Sequence, residues 1–374
     1  MSAQSGSSLF QRRYRPFWLA GAAVIGVAAY SVYWFARLAE FEATMEAMVN
    51  GQGPVQVSAE SISYSGFPYR LSAEFNGVTV TRAGLDYTLT VKAPKLTIER
   101  QPWKRALHLG FFQTPTLTLS APSVMGGVAL EGTGSEGRFS LMLKNGHVER
   151  LSTVLDDARI TGSPWLQTPL TAAKLELHGR EVAALRRPVS PNDILAAEEA
   201  RKAAAAAEGP GKAPTPPAFL EMIVNGEKVL LGQGEPLTLM ASLALTGEPR
   251  ASDITGSFLE AWRAASGTLE VNTLTLSTNA KDDLVLAKAT FAMDGQHRLM
   301  AGGTISTPCP AAVAGLFGQK LEGQSLAGMP AGRVQGLIAL PFQALSGKFT
   351  LQQPLTEWPT LAQNQDAQCP DLRR

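Results

Sequence analysis

The chain opens with an apolar run and then changes to a pattern in which apolar and polar residues alternate. Residues 17–36 read FWLAGAAVIGVAAYSVYWFA and contain no charged side chain. A helix of these 20 residues spans about 30 Å, the hydrocarbon thickness of a bilayer. The run therefore predicts a transmembrane anchor. A cleaved signal peptide fits less well, because the bulky residues at its end lack a small-x-small cleavage motif.

The residues that flank this run predict its orientation. Three basic residues precede it: Arg12, Arg13 and Arg15. No acidic residue occurs before Glu40, so the positive-inside rule places residues 1–16 in the cytoplasm and the rest of the chain outside. Trp18 and Trp34 lie near the two ends of the run, as interfacial aromatic residues do. We therefore predict a single-pass protein of a bacterial inner membrane with a periplasmic body.

A helical spacing of apolar residues continues beyond the run and predicts a stalk over residues 37–53. From Val55 onward the apolar period becomes two, which is typical of antiparallel strands. Asn76-Gly77 and Asn145-Gly146 are among the turn signals between the runs. The predicted fold class is mainly β, with antiparallel meander sheets that can curve to form a groove, and a few short helices.

Finer patterns predict particular elements. After Pro94 the apolar positions move to the other parity, which predicts a bulge or a strand break there. Residues 267–277 show a second parity shift. Short helices are predicted over residues 257–265 and 310–320, and Asp294-Gly295 is a candidate hairpin turn.

An Ala-rich and then Pro/Gly-rich segment interrupts the alternation at residues 188–217. Its composition predicts a solvated helix followed by a linker. We therefore predict β-rich region one over residues 54–187 and β-rich region two over residues 218–374.

Composition narrows the function classes. The net charge of +1 provides no basic field for nucleic acid. The chain has two cysteines, Cys309 and Cys369, which could form one disulfide in an oxidising compartment or remain two free thiols.

Candidate catalytic motifs fail on inspection. Residues 132–137 (GTGSEG) match a dinucleotide fingerprint, but a strand-like run follows them instead of a helix, which favours a glycine hairpin. The four histidines have no metal-ligand spacing, and adjacent carboxylate pairs in a strand point to opposite faces. We expect no enzyme activity, catalytic residue, cofactor or metal.

Three stretches carry a family resemblance. The first is Ser65 to Arg70 (SGFPYR), the second is Ala93 to Leu96 with Trp103 and Ala106 to Leu109, and the third is Gly267 to Leu269 with Leu274 and Ala289 to Gly295. Their order behind the anchor resembles the alphaproteobacterial envelope proteins of domain of unknown function 2125, and is distantly similar to AsmA-type envelope proteins. The second resemblance implies a sheet that curls into a groove for lipid, by analogy only. The family implies no catalytic residues.

Two short motifs have open interpretations. The turn formed by Gly66, Phe67, Pro68 and Tyr69 could be a functional aromatic turn or a rigid bend. Trp103, beside a Lys-Arg pair, could face a membrane or pack inside the body.

Three functions remain. The first is a periplasmic envelope protein that binds or handles membrane lipid. The second is a scaffold for a protein partner in envelope biogenesis, and the third, less favoured, is an exported enzyme. The ligand, the partner and the oligomeric state do not follow from the sequence.

Overall fold

The structure is a computed structural model. It describes residues 8–51, 55–121, 128–144, 147–163, 166–182, 218–231, 234–247, 257–278, 282–296, 298–317, 328–345, 348–354, 356–361 and 369–370. Three helices occur in this part of the chain: α1 (Ser8–Asn50), α2 (Phe258–Ala264) and α3 (Pro310–Phe317).

The described strands number seventeen. They are β1 (Val55–Ser58), β2 (Ser61–Ser65), β3 (Leu71–Ala83), β4 (Thr88–Arg100), β5 (Leu107–Gln113), β6 (Thr116–Ala121), β7 (Val128–Thr133), β8 (Glu136–Lys144), β9 (His147–Ser163), β10 (Leu166–Glu181), β11 (Ala218–Leu231), β12 (Leu237–Thr246), β13 (Thr268–Thr278), β14 (Asp282–Met293), β15 (Leu299–Thr307), β16 (Ile338–Leu345) and β17 (Lys348–Leu351).

All these strands belong to one antiparallel sheet. Three positions in it are each shared by two strands that lie end to end: β1 with β2, β5 with β6, and β7 with β8. Across the sheet the positions run β1/β2, β3, β4, β5/β6, β7/β8, and then β9 to β17 in chain order. The predicted antiparallel, mainly β fold is confirmed.

A line of irregular backbone positions, which we call the crease, crosses the sheet from β3 to β11, and the pairing of β3 with β4, β9 with β10 and β10 with β11 keeps one register on both sides of it. In a regular strand every second residue faces the same side. At the crease the spacing is three residues, as between Leu155 and Ala158 or between Ala172 and Leu175, so each strand has one extra residue. Four residues on this line have left-handed backbones: Gly77, Thr114, Asp157 and Lys228.

The crease divides the first half of the sheet into two tiers, because the partner strands change there. Asp157 and Lys228 are exposed at the crease, so the extra length lies on the outer face. On the opposite face, leucines from both tiers pack around a buried row that includes Ala158, Ala172 and Val229. We call the tier with β2, β5 and β8 the lower tier, and the tier with β1, β6 and β7 the upper tier.

Helix α2 connects the rims of the two tiers, which are the strand ends farthest from the crease. The carboxylate oxygen Oδ2 of Asp86, in the β3–β4 turn, accepts hydrogen bonds from Ser257 Oγ (2.5 Å) and the Leu259 N–H (2.9 Å). Trp262 packs between the upper and lower rims.

The structure confirms the parity shift at Pro94 and locates it on the crease, where β4 changes its partner from β6 to β5. The short helices and the hairpin at Asp294 are also confirmed. Two turn predictions are wrong. Gly77 lies inside the continuous β3, and Gly134 joins β7 to the collinear β8 instead of closing a hairpin.

Residues 188–217, the predicted helix and linker, lie outside the described residues. On either side of them, β10 and β11 pair over ten register positions, from Leu170↔Leu231 to Glu181↔Leu220. Strands from both predicted regions therefore share one sheet, and the division into two β regions stays a prediction.

Candidate functional site

One face of the sheet, the inner face, is apolar from β3 to β17. It is the face on which α1 packs, through contacts with Ala73, Phe75 and Ile98. Residues directly opposite one another in an antiparallel pair point to the same side. The register therefore extends this face across the lower tier in three rows. They are His108, Leu141, Leu151, Gly179, Met222 and Leu243; Gly110, Phe139, Thr153, Leu177, Val224 and Ala241; and Phe112, Gly137, Leu155, Leu175, Gly226 and Leu239.

Both ends of the inner face are covered. At the β3 end, Phe41 and Met45 of α1 are fully buried against it. At the β17 end, Val313 of α3 and the disulfide-bonded Cys309 lie in a second core cluster. Between these ends, from β8 to β12, leucines such as Leu151 and Leu177 are only partly buried. The middle of the inner face is therefore less completely covered than its ends, and we call this partly buried apolar stretch the trough.

The opposite, outer face of the same strands carries ion pairs, and it also exposes the apolar side chains of Leu109, Phe111, Ile223 and Met240. Arg138 and Asp156 form an ion pair at 2.5 Å, and Arg180 and Glu221 form one at 2.7 Å. This contrast between faces follows from strict alternation along each strand. An apolar face that is not covered by protein has to be covered by another molecule or remain in contact with water.

The anchor helix is fixed to the β3 end of the trough by aromatic side chains. Tyr30 donates a hydrogen bond to the Pro68 carbonyl at 2.5 Å, and Trp34 Nε1–H donates one to the Arg70 carbonyl at 3.2 Å. Tyr33 donates to the Pro102 carbonyl at 3.2 Å. The turns before β3 and after β4 therefore hold the helix where it leaves the body.

Around this junction several aromatic side chains point away from the body. Each of four is more than half exposed: Phe35, Phe67, Tyr69 and Trp103. The rings of Phe35 and Phe67 stack with centroids 6.3 Å apart. Aromatic side chains at this level of an apolar helix are typical of a bilayer interface.

An arginine cluster lies just inside the junction. Arg37 of α1 and Arg100 at the end of β4 expose only 6% and 7% of their surface. Arg37 pairs with Glu40, whose carboxylate also lies 3.8 Å from Arg105. The guanidinium of Arg100 lies over the ring of Phe41, with its Cζ atom 5.0 Å from the centroid.

Burial and like charge change the titration of this cluster. Burial lowers the pKa of Arg100, and Arg37 and Arg105 lower it further, although Glu40 acts in the opposite direction. Burial, with the charge of Arg100, also lowers the pKa of His108, so the fold favours the neutral form of this imidazole. Three arginines therefore share one carboxylate, Glu40.

The structure places the residues predicted from sequence as follows. Gly66, Phe67, Pro68 and Tyr69 form the β2–β3 turn, which bends the chain and exposes Phe67 and Tyr69, and a functional role for this turn stays a prediction. Trp34, predicted at the bilayer interface, is buried against this turn, because its indole N–H bonds to Arg70. Arg12, Arg13, Arg15 and Trp18 lie on α1 among residues whose side chains are not described.

The two cysteines, Cys309 and Cys369, are joined by a disulfide. It fastens the C-terminal segment under α3 and contributes to the core of the β17 end. Among the described residues, no group of three or more His, Cys, Asp or Glu side chains could hold a metal ion.

Sequence reasoning missed the arginine cluster. A signal existed, because Arg100 occupies the inward parity of Leu96 and Ile98, where an apolar residue is expected. Arg37 likewise lies on the helical face of Trp34 and Phe41.

The fold and the site define a class of β-sheet protein with an apolar inner face and one N-terminal helix long and apolar enough to cross a membrane. Residues 34–348 match the family described as "Uncharacterized protein conserved in bacteria (DUF2125)". The match covers most of the chain, so the chain belongs to this family. No curated protein matches the chain.

Proposed function

We propose that this chain is a membrane-anchored, lipid-binding protein of the bacterial envelope, whose trough holds an acyl chain along the inner face. The observation that carries the proposal is the middle of that face, where rows that include leucine, valine and methionine are only partly buried. Each methylene removed from water contributes about 0.8 kcal/mol, so an acyl chain laid along several strands gains substantial binding energy.

The anchor supports a lipid as the occupant. The trough is continuous with the face that α1 covers, and α1 carries the candidate membrane span. A lipid can therefore pass from the bilayer to the inner face without crossing the outer surface. The three arginines before the span favour a periplasmic body and an inner-membrane anchor.

The test is site-specific photocrosslinking in cells. A photoreactive amino acid at Leu177, in the middle of the trough, should capture lipid that mass spectrometry of the purified adduct identifies. The same amino acid at His178, the next residue of β10, points to the outer face and is the matched control. Protein adducts without lipid at residue 177 would instead support a scaffold for a protein partner.

A charge placed in the trough gives a second measurement. Leu177→Asp should reduce lipid retained by the purified full-length protein about tenfold or more, because a buried, unpaired carboxylate is costly. His178→Asp should leave retention unchanged. Equal retention by both variants, with circular dichroism spectra like that of the wild type, would rule out the trough as the lipid site.

A further inference from the structure

We infer that Arg37 and Arg100 form a binding site for a phosphate ester, at the end of the trough nearest the membrane span. This inference rests on the proposed function, which it refines by naming the group that the protein recognises on its lipid. It starts from two arginines that are buried at the junction of α1 and β4.

The first argument is hydrogen bonding. The Nε and Nη2 atoms of both Arg37 and Arg100 are buried, and none of them has a hydrogen-bond partner among the described residues. A guanidinium carries five N–H donors in a rigid plane, and buried donors are normally paired. The protein holds both planes in place but satisfies few of their donors.

The second argument is charge. Arg37, Arg100 and Arg105 face one another and share the carboxylate of Glu40. Glu99, the neighbour of Arg100 in sequence, pairs with Arg70 at 2.8 Å and belongs to the other face of β4. The cluster therefore has an excess of two positive charges, which one phosphate group would neutralise. Phosphate oxygens also match the paired donors of a guanidinium in geometry.

The third argument is position. Arg100 has the inward parity of Leu96 and Ile98, so it lies on the inner face beside His108, the first residue of a trough row. Arg37 follows the predicted span by one residue. A phospholipid at this point can keep its phosphate at the level of the bilayer headgroups while its acyl chain follows the row toward Leu141 and Leu151.

The experiment compares two lipids that differ only in phosphate. Full-length protein in nanodiscs is offered phosphatidic acid and diacylglycerol with identical acyl chains, and the bound lipids are quantified by mass spectrometry. We expect the wild type to prefer phosphatidic acid by about tenfold, and Arg100→Met and Arg37→Met to reduce that preference to about threefold or less. Arg180→Met, which removes an exposed charge from the outer face, is the control.

The outcomes separate the two proposals. If the wild type retains both lipids equally, or if Arg180→Met loses the preference as fully as Arg100→Met, the arginine site is refuted and the trough stands. If neither lipid is retained, the lipid proposal fails, and titration with inorganic phosphate followed by ³¹P NMR decides the site. Binding that Arg100→Met abolishes would then identify a free phosphate as the ligand, and no binding would overturn the inference. If the variants do not fold, the wild-type lipid ratio alone decides.

Discussion

The two ends of the inner face differ in how they are closed. The β17 end is covered by α3 and by a disulfide-linked segment, and its buried side chains are almost all apolar. The β3 end is covered by the anchor helix, and it buries two arginines with unpaired donors. Burying unpaired charge lowers stability. The β17 end is therefore built for stability, whereas the β3 end keeps charged groups that are suited to a ligand.

Breaking the disulfide should produce the largest loss of stability. Cys309 and Cys369 are 60 residues apart, and closing a loop of that length stabilises by about 4 kcal/mol in the chain-entropy model. Replacing both by Ala should lower the free energy of unfolding of the full-length protein in detergent by about that amount, measured by urea denaturation. A loss below about 1 kcal/mol would mean that the β17 end does not depend on this covalent link.

Replacing a buried arginine should have the opposite sign. Arg100→Met removes a charge with unpaired donors and keeps a long apolar side chain. In the absence of lipid we therefore expect the free energy of unfolding of this variant to exceed that of the wild type by roughly 1–2 kcal/mol. Arg180→Met, on the outer face, should change stability by less than about 0.5 kcal/mol. A clear destabilisation by Arg100→Met would show that its contact with Phe41 is structural.

The link between the rims should have a smaller effect. Asp86 accepts hydrogen bonds from the first residues of α2, as an N-cap side chain does. Asp86→Ala should reduce stability by about 1 kcal/mol and increase hydrogen exchange in α2 before other helices. Unchanged exchange in α2 would contradict a role for Asp86 in joining the two tiers.

The smallest effect should come from acid. Burial lowers the pKa of His108, so below pH about 6.5 the unfolded chain takes up a proton that the folded protein resists, and stability falls as the pH decreases. Arg100 adds to this effect, and a hydrogen bond to the Arg105 backbone opposes it. His108→Gln should flatten the dependence of unfolding free energy on pH between 7.5 and 5. If His108→Gln left this pH dependence unchanged, groups other than His108 would be its cause.

Local patterns predicted the elements well but not how they join. The parity shift at Pro94 was visible because alternation is a property of one strand. Asn76-Gly77 was interpreted as a turn, because turns and bulges both use a left-handed residue. Only pairing with a partner strand distinguishes a turn from a continuous strand. Here β4 supplies that partner: its Pro94 lies opposite Gly77, although the two residues are 17 positions apart in the sequence.

The candidate site was harder to predict for the same reason. The apolar rows could be expected from alternation, but the trough depends on which strands α1 and α3 leave uncovered. The arginine cluster joins residues from α1, the end of β4 and the turn after it. A charged residue at an apolar position can be recognised from the sequence around it. The residues that it meets in the fold cannot.

Helix α1 continues without a break from the predicted span to Asn50, and the 14 residues after the span, about 21 Å, run along the body. With residues 17–36 in a bilayer, the body has no flexible tether, and its long axis keeps a constant angle to the membrane plane. On the proposal that the trough holds lipid, such a body would reach one leaflet only, and lipid bound for a second membrane would pass to another carrier.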